Sequence, residues 1–160
     1  MSDPTITGII IGLAAGLLLF FLIVYTSLPR LMMKESRSRF DFSRTIEELK
    51  KGVEQQGWKL PCEHDLRATM DKFGYQVRDV VVLEICNPAY ANEILSKNHE
   101  RIVSSLMPCR IAVYEKADGS VYLSRMNSGI LSKPMGRIIR KTMTRAARDT
   151  EQILQRVIMS

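Results

Sequence analysis

The chain has 160 residues, 46% hydrophobic and 25% charged, with 23 Lys/Arg against 17 Asp/Glu for a formal net charge of +6. This is the balance of a globular chain with room for one modest core and an appendage. The charge is unevenly held: residues 1–39 have four Lys/Arg and two Asp/Glu, residues 40–132 twelve and thirteen, and residues 133–160 seven and two. A neutral middle between basic flanks argues against a nucleic-acid binder, which would spread Lys/Arg over the domain itself.

"ITGIIIGLAAGLLLFFLIVY", residues 6–25, contains no charged residue. As a helix it spans about 30 Å, the thickness of a bilayer's hydrocarbon core. A cleaved signal peptide is the competing reading. It needs a basic start, a shorter apolar stretch and a small-x-small exit, whereas "MSDPT" has no Lys or Arg and "YTSLPR" offers no clear cleavage signal. The pattern predicts a single transmembrane anchor over residues 1–28 and a basic juxtamembrane linker over residues 29–39. Arg30, Lys34, Arg37 and Arg39 all follow the span. The positive-inside rule then predicts an inner- or cell-membrane protein with its N-terminus outside and its soluble domain cytoplasmic. Gly8, Gly12 and Gly16 recur at i, i+4, i+8 and offer a packing face to a second copy or to another membrane-complex subunit.

Next, residues 39–42 suggest an edge strand after a polar connector. Residues 43–57 read as a helix, with Ile46, Leu49 and Val53 on one stripe, a Thr45/Glu48 capping box or Ser43 as the cap, and Gly57 as the stop. Residues 58–60 are a short strand. Asp65 can cap a further helix with Leu66, Met70 and Phe73 on its apolar face, ended by Gly74. The β-branched run "DVVVLEIC", residues 79–86, predicts a central strand covered on both faces. Asn87 and Pro88 then cap and open a helix reaching about Asn98. "MPCRIAVYE" and "SVYLSRM" flank Asp118-Gly119, a hairpin signal.

Residues 133–160 form a basic amphipathic helix. Its apolar positions are Met135, Ile139, Ala146, Ile153 and Val157, and Arg137, Arg140, Lys141, Arg145 and Arg148 crowd its first half. This face, with Arg30, Lys34, Arg37 and Arg39, could meet anionic lipid or a partner, or be a solvated surface. No aromatic platform or recognition motif for nucleic acid accompanies it.

Leu83, Cys86-Asn87-Pro88, Ala91 and Leu95, then Pro108-Cys109, the strand "IAVYE" and Asp118-Gly119-Ser120-Val121, resemble the domain-of-unknown-function 302 (DUF302) family. "TIEELKKGVEQQGWKL" resembles its first helix and following strand. The resemblance covers roughly residues 40–126 and sets the α+β domain at residues 40–132. It implies a small mixed or antiparallel sheet backed by helices, usually dimeric, and no established enzyme activity. The membrane helix and the long basic C-terminal helix depart from the pattern.

Three cysteines are present, Cys62, Cys86 and Cys109, and the last two fall on the family's motif positions. They could be packing residues, a disulfide, or, with Cys62 and His64, a ligand, soft-metal or redox site. Spacing gives no zinc or haem-attachment motif. If the helix after Cys86 is a parallel crossover, Cys86 and Cys109 lie at opposite sheet edges. If residues 99–107 carry the chain back, they are near. His64 and His99 read as surface histidines. Glu84 sits in the apolar strand and needs a partner, with Arg110 and Arg125 as candidates. No nucleophile–His–acid set, P-loop or dinucleotide fingerprint is present. The expectation is a membrane-anchored, non-catalytic accessory subunit needing no cofactor. The alternative is a thiol-based module holding a soft metal, haem or sulfur group at Cys86 and Cys109.

Overall fold

Helix α1 (Pro4–Met32) runs directly into strand β1 (Met33–Arg37). The computed structural model describes residues 4–159. Residues 1–3 and Ser160, the outer ends of the anchor and C-terminal-helix assignments, lie outside the described residues. α1 is long and apolar enough to cross a membrane. The segment read as a juxtamembrane connector is therefore an edge strand, and the strand expected at residues 39–42 is displaced toward the helix. In β1 every residue is exposed or half-buried, so "MKESR" carries no apolar alternation to betray it.

Elements α2 (Phe42–Gln55), β2 (Lys59–Asp65), α3 (Leu66–Asp71), β3 (Val80–Cys86) and α4 (Pro88–Leu95) follow. After them come a 3-10 helix (Glu100–Leu106), the β4–β5 hairpin (Cys109–Glu115, Val121–Met126), α5 (Ser128–Leu131) and α6 (Arg137–Leu154). The five strands lie in the order β1-β5-β4-β3-β2, each pair antiparallel. The sheet has two ends. Met33, Met126, Cys109, Cys86 and Lys59 lie at the end next to α1, and Arg37, Val121, Glu115, Val80 and Asp65 lie at the far end.

Leu83 and Ile85 of β3, Ile111 and Val113 of β4, and Leu123 of β5 are fully buried beneath Leu49 of α2 and Ile153 and Leu154 of α6. The helices cover one face only. β3 alternates buried and half-buried residues, so it is not covered on both faces, as its continuous apolar run suggested. An antiparallel sheet tolerates this because one face can meet solvent. Glu84 points to the open face, where Arg110 Nε approaches it at 3.3 Å and His64 Nε2 at 3.2 Å.

Local chemistry explains the boundaries. Asp41 caps α2 by accepting from Arg44 N at 2.9 Å, in place of the Thr45/Glu48 box or Ser43. Thr45 is inside the helix and buried, donating to the Asp41 carbonyl at 2.7 Å. Asp65 caps α3 through Ala68 N at 2.8 Å, and Asn87 caps α4 through Ala89 N at 3.1 Å and Tyr90 N at 3.3 Å. The apolar face assigned to α3 buries nothing: the helix has only six residues, too short a stripe to reach the core. At the hairpin, Gly119 takes φ +77°, a left-handed conformation that favours glycine.

Candidate functional site

The 3-10 helix Glu100–Leu106 returns the chain so that β4 runs antiparallel to β3, with Ile85 paired to Cys109. This resolves the open alternative. Cys86 and Cys109 are neighbours at the α1 end of the sheet, and both line a cavity of about 50 Å³ with Trp58, Tyr90, Met107 and Met143. Both cysteines, and Cys62, are free. Burial pushes the Cys86 thiol up, and burial followed by the proximity of Cys86 does the same to Cys109. Thiols held protonated in this way are poor nucleophiles. Aromatic and charged groups close the wall. Trp58 and Tyr90 meet edge-on at 6.0 Å, and the Arg145 guanidinium lies 4.7 Å over the Tyr90 ring. Arg145 also pairs with Glu93, and Tyr90 Oη donates to Asp149 at 2.9 Å.

A larger cavity of about 260 Å³ adjoins this one. The two share Leu106, Pro108, Cys109, Ser128 and Met143 in their walls. A charged triad borders the larger space. Arg125 binds Glu151 through Nη2 at 2.6 Å and Nε at 3.2 Å, Lys34 Nζ reaches the same carboxylate at 3.0 Å, and Arg125 Nη1 donates to Ser36 Oγ at 2.8 Å. Burial pushes the Glu151 carboxyl up, but hydrogen bonds from Arg125 and Lys34 outweigh it and hold the group below the usual carboxylate range. Of the two partners the sequence offered for Glu84, Arg110 is the one that meets it, while alternation along β5 puts Arg125 with Val121 and Leu123 on the covered face.

The remaining candidates are dispersed. Cys62 and His64 are on β2, on the open face with Glu84. Cys62 Sγ lies 3.9 Å from His64 Nδ1. Among the described residues no group of three or more His, Cys, Asp or Glu is arranged to hold a metal. The basic set also divides. Lys34 is paired to Glu151, and Arg145 to Glu93. Arg37 and Arg39 lie at the far end, where Arg39 donates to the carbonyls of Gln155 and Ile158. Arg30, Arg137, Arg140, Lys141 and Arg148 are exposed and form no ion pair among the described residues. A Cβ built on Gly8, Gly12 or Gly16 would meet nothing within 4 Å, so that stripe of α1 is open surface.

A search of curated proteins gives no match. A crystal structure of an uncharacterised conserved DUF302 protein from Bacillus stearothermophilus is similar, with TM-score 0.70 and 20% identity over 78% of this chain and 97% of that chain. At that identity the likeness speaks for the fold. Residues 34–160 match the family described as "Domain of unknown function DUF302", a span that takes in β1 and α6 as well as the central strands. With most of its length matched, from the edge strand through the last helix, the chain belongs to the DUF302 family.

Proposed function

We propose that the protein is a membrane-anchored, non-catalytic accessory subunit of a larger membrane complex. α1 is its single-pass anchor, and its folded body is on the cytoplasmic side. The observation that carries this reading is that the apolar span of α1 is 0% buried within the fold. Some twenty uncharged residues with no cover from their own chain need an apolar surrounding. The basic residues after the span support the orientation. The open glycine stripe supports close approach by another membrane helix. At the far end, Phe73, Tyr75 and Val77 expose apolar surface that suits a soluble partner.

Membrane fractions decide the anchor: the protein should resist a high-salt wash and come off only with detergent. Mild extraction followed by native mass spectrometry then tests the subunit role. A monomer that never brings another subunit with it would overturn that role.

The second reading is a thiol-based soft-metal or redox module. It is favoured by the two thiols and two thioethers, Cys86, Cys109, Met107 and Met143, around one small cavity. Metal analysis and an absorption spectrum test it. A colourless, metal-free protein unaffected by Cys86→Ser and Cys109→Ser removes it.

A further inference from the structure

The larger cavity opens where α1 becomes β1, with Met33 and Lys34, the first residues past the helix, in its wall. Cys109 of the sheet, Leu106 of the 3-10 helix, and Met143 and Ala147 of α6 give it apolar sides on the covered face. Its 260 Å³ equals roughly nine waters at about 30 Å³ each, room for part of an alkyl chain but not for a whole lipid.

The charge beside it does not balance. Lys34 and Arg125 share one carboxylate, Glu151, which neutralises one of the two cations. Arg110 also lines the space, but its charge is met by Glu84. Arg125 is only 7% exposed and is held twice by Glu151, so the surplus falls on Lys34, which is 39% exposed in the cavity wall. A partly desolvated excess cation next to apolar walls calls for a negatively charged group with an apolar continuation.

We infer that this cavity binds an anionic amphiphile drawn from the bilayer, its headgroup on Lys34 beside Arg125 and the start of its chain against Leu106, Met143 and Ala147. This rests on the membrane-anchored reading and gives the near end of the sheet a ligand. Two sources share the chemistry, an anionic phospholipid and a free fatty acid.

The test uses the full chain in phosphatidylcholine nanodiscs carrying a small fraction of phosphatidylglycerol with a photoactivatable group near the start of one acyl chain. After illumination, crosslinked peptides should contain residues 33–34, 126–128 or 143–151. The phosphatidylglycerol probe should exceed the matching phosphatidylcholine probe by about fivefold, the preference expected of one basic residue at an anionic lipid. Lys34→Gln leaves the Arg125–Glu151 pair intact and should bring that ratio close to one with little change in thermal unfolding. Ala147→Phe fills the cavity from the α6 side and should remove these crosslinks while sparing those along α1. Competition by oleate assigns the site to a fatty acid, and its absence assigns it to the phospholipid. Competition by inorganic phosphate alone would reduce the site to a simple anion site and overturn the amphiphile. Crosslinks confined to α1, or equal yields from the two probes, would also overturn it. A chain that never co-elutes with nanodiscs fails earlier, at the anchor.

Discussion

Glu151 carries more of the near end than any neighbouring side chain, because two cations and a long hydrogen-bonded fork converge on it. Its carboxyl is held below the ordinary value of 4.5 in the fold. The charged form is thus favoured by folding. The stabilisation is complete above the unfolded value and fades as pH falls through the lower folded one. Glu151→Gln should cost about 2 kcal/mol at neutral pH, because it leaves Arg125 without its anion. Urea unfolding should show the gap between variant and wild type narrowing below pH 4.5. Asn87 offers a cleaner single-residue measurement. Its side chain accepts the first amides of α4 just after Cys86, so Asn87→Ala should lose about 1 kcal/mol of unfolding free energy while Asn87→Asp retains most of it.

Among the strands, β1 is the one the sequence concealed. Four neighbours announced themselves: the apolar run of β3, the Asn-Pro start of α4, the Asp-Gly hairpin and the helical stripe of α6. Each obeys a local rule of pattern or capping. β1 obeys none, since an edge strand with polar residues on both sides is specified by its partner. Its register, Met33 with Met126 through Arg37 with Tyr122, comes from β5. The same limit hid the site. Whether Cys86 and Cys109 meet depends on the return path of the 3-10 helix, and the triad joins residues 34, 125 and 151 from three elements. The parity of Arg125 was the one legible hint. A test at this scale is Ser36→Pro. Ser38 N donates to Val121 O at 2.8 Å, and by strand alternation the Ser36 amide also faces β5. Proline there removes a ladder hydrogen bond and the Ser36–Arg125 contact, for a loss of about 3 kcal/mol in denaturant unfolding.

At the scale of the whole molecule, the core draws nothing from α1: its buried residues run from Leu49 to Val157. A chain starting at Met33 should therefore fold cooperatively, keep the full-length circular-dichroism spectrum in the sheet region and remain in the supernatant after ultracentrifugation. Aggregation or loss of cooperative unfolding would show that α1 is needed for folding. Yet α1 and the body meet without slack. The Asn127 amide donates to the Met32 carbonyl at 2.7 Å, and the next residue already belongs to the ladder. With α1 in a bilayer as proposed, the helix acts like the shaft of a weathervane. Any roll or tilt it adopts among its neighbours sets the compass heading of the open sheet face, so the lipid-embedded segment steers what the far end of the protein can reach.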